Sequence, residues 1–291
     1  MRNIIYVIAA IAVVSSCGLD VDVYDQLTPY NALNTEDDVK TAVTGIYHEL
    51  RGGGWNAYNC AWGSLLTMQV GCTDECDCNW NWDVQMDFLW KAETADMGIF
   101  YNEMMPAVTK ATSLIERLKP VKISAPFKRQ CTAELRCLRA IWAYDLYDLY
   151  GPVTIVSDPG IALDPGAADA WQPERPSVEW YVGFVARELK ECQEHLKKAS
   201  ELSSSEYGRM TKGIAQMYLL KLFLHEAGQE MHYRSGNKDK AKIWWERVDS
   251  ITSVMQRENQ YSLQKDYMSI WSPSNQRNSE VIFPVPNFPV G

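Results

Sequence analysis

Residues 128–150 constrain the fold of this chain more than any other feature of its sequence. Large apolar side chains recur there at intervals of three and four residues, the period of one face of an α-helix. This stripe consists of Leu135, Leu138, Trp142, Leu146 and Leu149. Gly151 and Pro152 follow directly, and this residue pair ends helices. The pattern predicts a long helix with one face buried in a hydrophobic core.

The same helix carries an aromatic stripe at helical spacing, made of Trp142, Tyr144, Tyr147 and Tyr150. Aromatic residues at this spacing more often fill a core than form a ligand platform, and we expect a core role here. Arg136 and Arg139 lie on the same helix. We expect them to pair with Asp145, Asp148 or a neighbouring helix.

Four further helices are predicted from caps and apolar periodicity. Thr35, with Asp38 three residues later, matches an N-terminal capping signal, and the helix that it begins ends before the glycines at 52–54. The others span about residues 177–199, 211–228 and 238–255, the last two forming a helical hairpin. A fifth periodic segment spans about residues 100–118 and ends before Pro120.

The remaining segments predict irregular structure. Residues 151–176 contain five prolines and three glycines, a composition that favours a long loop over a packed element. Residues 55–100 follow no single period, so loops and short helices are expected. Beyond residue 260 the apolar runs 261–263 and 281–283, bounded by prolines, predict extended segments.

The N-terminus has the order of an export signal. Arg2 precedes the apolar run 4–14, and the small residues Ser15 and Ser16 lead to Cys17. The run of 11 residues is too short to cross a bilayer, which needs about 20. Residues 14–17 resemble a bacterial lipobox, which predicts a signal peptide over residues 1–16 and lipid attachment at Cys17. The turn-rich residues 17–34 are expected to form a stalk.

Charge and composition narrow the class of partner. The 291 residues are 46% hydrophobic, enough for a sizeable globular core. They include 28 Lys and Arg against 37 Asp and Glu, for a net charge of -9, and no basic run is long enough to follow a phosphate backbone. We therefore predict no nucleic-acid partner.

Several separate runs together resemble the SusD/RagB family, the surface lipoproteins of Bacteroidetes that cap TonB-dependent transporters. The matching runs are Cys17 in the lipobox; residues 34–38 with Ala42 and Tyr47; Thr73-Asp74-Glu75; residues 139–153; residues 212–215 with 218–220; and residues 278–283. Their order and spacing cover nearly the whole chain.

The resemblance implies a mainly α fold, a SusD-like helical scaffold with tetratricopeptide-like hairpins and long irregular loops. Residues 35–260 would form the N-terminal helical domain. Residues 261–291 would begin the C-terminal SusD/RagB region. Family members are typically far longer, so the chain is expected to be the N-terminal portion of a truncated protein. The resemblance also implies an outer-membrane, lipid-anchored protein facing the cell exterior, with a SusC-like TonB-dependent transporter as partner.

Residues 72–83 hold the densest cluster of functional side chains. Exposed tryptophans can stack on sugar rings while carboxylates and amides bind the hydroxyls, and Trp80 and Trp82 would share one side of an extended segment with Asn81 between them. By resemblance, ligand-binding residues follow the Thr-Asp-Glu motif that contains Asp74. We therefore predict oligosaccharide binding here. The alternative is that these tryptophans pack under a loop against the scaffold.

Four cysteines lie near or within this cluster: Cys60, Cys72, Cys76 and Cys78. They could form a zinc site or a disulfide. Their spacing fits a zinc site only in part, and a disulfide is favoured in an exported protein. The sequence does not show which two of these cysteines would form the disulfide. Cys131, Cys137 and Cys192 fall in predicted helices and are expected to be buried as small apolar residues.

Catalytic constellations are weak in this sequence. The four histidines show no H-E-x-x-H spacing and are expected to be surface or cap residues, and no nucleophile elbow or phosphate loop occurs. We expect no catalysis and no cofactor or metal, because the resembled family binds rather than cleaves. A peptide-binding member of the same family is the alternative, followed by a metal-binding or glycan-cleaving protein that uses residues 72–83.

Overall fold

The computed structural model describes residues 32–50, 65–75, 87–91, 95–272, 275 and 277–286. These residues form nine α-helices and no β-strand. The helices are α1 Glu36–Tyr47, α2 Leu65–Val70, α3 Ala95–Leu118, α4 Ala125–Tyr150, α5 Pro159–Leu163, α6 Pro165–Ala170, α7 Val178–Cys192, α8 Lys212–Gln229 and α9 Lys238–Glu258. The predicted mainly α fold is confirmed. The predicted signal peptide, Cys17 and most of the stalk lie outside the described residues and stay predictions.

Helix α4 lies at the centre of the fold. It packs against α1, α3, α7 and α8, and the pairs α3/α4 and α8/α9 form helical hairpins. Of the apolar stripe of α4, Leu135, Leu138, Trp142 and Leu146 are fully buried, as the sequence predicts, and Leu149 is half-buried. Of the aromatic stripe, Trp142, Tyr144 and Tyr147 are buried and Tyr150 is half-buried, so the predicted core role is confirmed.

Side-chain caps set the starts of the helices. Thr35 accepts a hydrogen bond from the Asp38 amide, and the Asp38 carboxylate accepts one in return from the Thr35 amide, which completes a capping box. Ser177 and Thr211 cap α7 and α8 in the same manner, with hydrogen bonds from the amides three residues on. Each cap satisfies an amide that the helix leaves unpaired.

Helix α7 ends earlier than predicted. Its apolar period continues to Leu196, which is buried, but the helix stops at Cys192 and a turn follows. Beyond this turn the carbonyl of Lys197 accepts a hydrogen bond from the amide of Lys212, at the start of α8. Leu196 therefore reaches the core from a non-helical backbone, which the apolar spacing alone does not reveal.

The prediction of a long loop over residues 151–176 is wrong in part. It contains the short helices α5 and α6, each begun by an aspartate cap followed by proline, at Asp158 and Asp164. Val153 and Ile155 are buried in the main core, and α5 packs against α3. The Asp-Pro pairs were the sequence signal for these helices.

The C-terminal runs 261–263 and 281–283 are neither helix nor strand, and residues 282–283 form a bend rather than the predicted extended segment. The amide of Ser262 donates to the carbonyl of Ser279 over 3.0 Å, and the Gln264 amide donates to the Glu280 carboxylate over 2.8 Å. Between the segments lies a 3₁₀-helix over Tyr267–Trp271. None of the helices in the described ranges is long and apolar enough to cross a membrane.

Candidate functional site

The turn after α2 is the part of the predicted ligand-binding segment that the structure describes. The Thr73 hydroxyl donates to the carbonyl of Val70 over 2.8 Å and accepts a hydrogen bond from the Glu75 amide over 3.3 Å. These contacts close the turn and leave the Asp74 side chain exposed to solvent. Trp80, Asn81 and Trp82 lie outside the described residues.

Helix α2 fixes this turn to the central helix. Leu65 and Met68 are buried, and Gln69 donates from Nε2 to Oδ2 of Asp148, near the C-terminus of α4, over 3.1 Å. The Cys72 thiol donates to the carbonyl of Met68 over 2.8 Å. A helix of six residues is too short to be stable by itself, so these tertiary contacts hold it in place.

Asp148 connects this turn to a polar network between α4 and α8. Its Oδ1 lies 3.7 Å from Nε2 of His225, whose Nδ1 lies 3.5 Å from Oε1 of Glu226. The Tyr147 hydroxyl donates to Glu226 over 2.7 Å, and Arg234 donates to the same carboxylate over 2.6 Å. Arg234 is positioned by a π-helical turn over Glu230–Arg234 that continues α8. Through Gln69 and Asp148, the turn bearing Asp74 is thus connected to a charged network between α4 and α8.

The charge of Glu226 is maintained despite its burial. Burial by itself raises the pKa of this carboxyl, but the interactions with His225, Arg234 and Tyr147 outweigh it and hold the pKa at about 2. The predicted surface or cap role is wrong for His225, which is largely buried and makes edge-on contacts with the rings of Tyr144 and Tyr147. No short sequence motif marks this network, because its members come from separate helices.

A second charged group joins α4 to α7. Arg136 contacts Glu188 over 2.7 Å and Glu191 over 2.6 Å, and Arg139 pairs with the other oxygen of Glu188. Burial raises the pKa of Glu188, but the guanidinium groups of Arg139 and Arg136 bring it below its ordinary value. The predicted pairing of both arginines with a neighbouring helix is confirmed. The Arg139–Glu188 pair is buried, so it joins the two helices inside the scaffold.

Other residues from the matching runs also have structural roles. The Tyr47 hydroxyl donates to Glu134 over 2.8 Å and accepts from the Met210 amide over 2.7 Å, which connects α1, α4 and the start of α8. Gly213 lies against Tyr261, since a Cβ atom there would be 2.6 Å from Cε2 of that ring. These residues therefore stabilise the packing of the helices, whereas the Asp74 side chain is exposed to solvent.

The described cysteines are Cys72, Cys131, Cys137 and Cys192, and all four are free thiols. The three helical ones are buried, as predicted. Cys60, Cys76 and Cys78 lie outside the described residues, so the disulfide and zinc alternatives for this cluster stay predictions. Within the described part of the chain, no group of three or more His, Cys, Asp or Glu side chains could hold a metal ion.

No protein-family model matches this sequence. A SusD-like protein from Bacteroides ovatus is 22% identical over 244 residues, which are 80% of this chain and 42% of the relative. Among solved structures, a laminarin-binding SusD-like protein matches with a TM-score of 0.66 at 17% identity, over 86% of this chain and 51% of the other. The chain has a SusD-like fold.

A further structural match is informative because of its ligand. Surface glycan-binding protein A from Bacteroides thetaiotaomicron, in complex with laminarihexaose, matches with a TM-score of 0.62 at 16% identity, over 86% of this chain and 49% of that protein. The resemblance predicted from the sequence is confirmed by this shared fold. The SusD-like chain spans about half the length of these relatives. The names of both solved relatives describe binding of a glycan.

Proposed function

We propose that this chain is part of a surface lipoprotein that binds an extracellular oligosaccharide, without cleaving it, and delivers it to a TonB-dependent transporter. The observation that carries the proposal is the SusD-like fold shared with a laminarin-binding and a laminarihexaose-bound protein. The exposed Asp74, on a turn fixed to the central helix, supports a site at residues 72–83. A carboxylate held in this manner offers several hydrogen-bond acceptors to sugar hydroxyls.

Trp80, Asn81 and Trp82 would complete this site. An indole face can stack on the apolar face of a sugar ring, while the amide of Asn81 can both donate to and accept from hydroxyl groups. Asp74 would contribute charge-assisted hydrogen bonds, which are stronger than neutral ones. Each of these roles can be tested by substitution.

Isothermal titration with laminarihexaose, maltoheptaose and xylohexaose tests the ligand class. We expect at least one of these oligosaccharides to bind, and Asp74→Asn to weaken that binding by about tenfold through loss of a charged acceptor. Asp37→Asn, an exposed carboxylate on α1, is the matched control and should leave affinity unchanged. Binding of peptides but of none of the oligosaccharides would contradict the proposed ligand class.

The tryptophans are tested with the double variant Trp80→Ala and Trp82→Ala. We expect a loss of about fivefold or more in affinity for the same oligosaccharide, with an unchanged melting temperature. Trp245→Ala, at an exposed position on α9, is the control. A large fall in melting temperature with the double variant would instead indicate that these tryptophans pack against the scaffold.

The anchor and the partner need cellular experiments. In a Bacteroidetes host, a labelled fatty acid should be incorporated into the wild-type protein and not into Cys17→Ala, and the wild-type protein should be recovered in the outer-membrane fraction. Chemical crosslinking of intact cells should then capture a TonB-dependent transporter. An unlipidated wild-type protein would contradict the proposed anchor, and crosslinks that never include such a transporter would contradict the delivery role.

A further inference from the structure

A second surface of the chain combines aromatic and polar side chains in one cleft. A cleft of about 190 Å³ lies between residues 154–176 and the first turn of α7. Its polar and aromatic lining comes from Thr154, Ser157, Asp158, Trp171, Glu174 and Trp180. These residues lie outside the segment 72–83, and no motif in the sequence brings them together.

Trp180 presents a fixed aromatic surface to this cleft. Its ring is stacked on Phe184, with centroids 5.5 Å apart and planes within 6° of parallel. Phe184 is buried and lies beneath the guanidinium of Arg139, 5.5 Å from its ring centroid. One face of the indole is thus supported, yet 45% of the Trp180 side chain remains exposed. An indole held in this way loses little entropy when a ligand stacks on it.

The other wall of the cleft is fixed as well. Arg175 donates to the carbonyl of Tyr150 over 2.6 Å and to that of Pro152 over 3.1 Å, so it ties this segment to the end of α4. Ile155, which lines the cleft, is buried in the main core. Asp158 caps α5 by accepting the Gly160 amide on Oδ1 over 2.8 Å. The cleft is therefore formed before any ligand arrives, as ligand sites usually are.

We propose that this cleft is a second carbohydrate subsite, which binds one sugar ring of a neutral oligosaccharide. The ring would stack on the Trp180 indole beside Trp171, and its hydroxyl groups would donate to the carboxylates of Asp158 and Glu174. A carboxylate has about four acceptor positions, so Asp158 can cap its helix and still accept from a ligand. The proposal rests on the proposed function only for the ligand class.

The charge of the cleft restricts what it can bind. Two carboxylates and no basic side chain are found among its described lining residues, so phosphorylated or sulfated ligands are disfavoured by repulsion. A cationic group could also lie over an indole between carboxylates. Binding of a cationic ligand would weaken steeply with added salt, whereas binding of a neutral sugar would not.

The test uses Trp180→Leu and Trp180→Phe with Trp245→Leu as a matched control. Leucine keeps apolar contact with Phe184 and removes the flat surface, while phenylalanine retains an aromatic ring. Trp245 on α9 is exposed to the same degree, 46% against 45%, but lies outside the cleft. Saturation-transfer NMR with methyl β-glucoside and titration with laminarihexaose measure binding, and a tetralysine peptide is the cationic probe.

We expect Trp180→Leu to weaken sugar binding by about two- to tenfold and Trp180→Phe to retain most of it, with Trp245→Leu unchanged. Unchanged sugar binding by Trp180→Leu would overturn the second subsite, and so would tetralysine binding that this variant abolishes at low salt. If oligosaccharide affinity falls with Asp74→Asn but not with Trp180→Leu, only this inference fails. If wild-type protein binds no sugar at all, the proposed function fails with it.

Discussion

Gln69 and Asp148 are 79 positions apart in the chain, yet a hydrogen bond of 3.1 Å joins the side-chain amide of Gln69 to the carboxylate of Asp148. This bond fixes the short helix α2 to the end of α4. The same Asp148 carboxylate lies beside His225, so the turn that exposes Asp74 rests on a network extending to Glu226 and α8. The position of the candidate site thus depends on packing between distant helices.

Removal of this bond should loosen α2 without unfolding the protein. We expect Gln69→Leu to raise amide hydrogen exchange in residues 65–75 by about fivefold, the effect of losing one hydrogen bond. The melting temperature should change little. Exchange of the peptides covering α2 and α4 is measured by mass spectrometry. Asp74→Asn is the control, and equal exchange in Gln69→Leu and wild type would contradict the anchoring role.

The stability of the fold should depend on pH through Glu226. Its pKa in the folded protein is about 2, against 4.5 for an unperturbed carboxyl. Because the folded value is the lower one, the stabilisation is complete above the unfolded pKa and is lost as the pH falls towards 2. The difference corresponds to about 3 kcal/mol of unfolding free energy.

Urea denaturation of wild type and Glu226→Gln at a series of pH values measures this contribution. The gap in unfolding free energy between the two should be largest near neutral pH and should mostly close by about pH 2. Glu194→Gln, an exposed carboxylate in the turn after α7, corrects for general acid effects and should show no such gap. A gap that stays constant with pH would mean that Glu226 contributes packing alone.

Gly213 should tolerate no side chain. A Cβ atom there would lie 2.6 Å from Cε2 of Tyr261, so the ring must move out of its place against α8. We expect Gly213→Ala to reduce the free energy of unfolding by about 1–3 kcal/mol, as overpacking does. Denaturation curves give the value.

Two variants make this test specific. Gly183→Ala, in the middle of α7 with open space around its Cα, should be neutral or stabilising by up to about 1 kcal/mol. In a Tyr261→Ser background, Gly213→Ala should reduce the free energy of unfolding far less, because the ring that would overlap with the new methyl group is absent. An equal cost in both backgrounds would contradict the steric explanation.

The three buried thiols should resist alkylation in the folded protein. Burial raises the pKa of Cys131 to about 12, and the adjacent Cys192 thiol together with burial raises the pKa of Cys137 well above its ordinary value. The thiolate is the reactive form, so both the raised pKa and poor access slow the reaction. Iodoacetamide labelling near neutral pH, followed by mass spectrometry, should modify Cys72 before Cys131, Cys137 and Cys192, which should react only after denaturation. Early labelling of Cys131 would show that the α4 core opens.

The main helical elements of this protein could be predicted from local sequence patterns. Apolar residues at helical spacing on α4, and the caps at Thr35 and Thr211, act within a few residues of each other, so their effects can be read directly from local order. The same period placed Trp142 and Tyr147 in the core. The sequence also identified the exposed Asp74 as a candidate ligand residue through its motif.

The pairing of the polar groups depends on tertiary packing and could not be predicted from local patterns. The partners of Gln69, Arg139 and Glu226 come from other helices, and helix packing brings them within hydrogen-bond distance. The early end of α7 and the cleft beside Trp180 depend on packing in the same way. Local spacing fixes which face of a helix is apolar, but the partner that a side chain meets across an interface depends on how whole helices are arranged, and this arrangement minimises the free energy of the entire core.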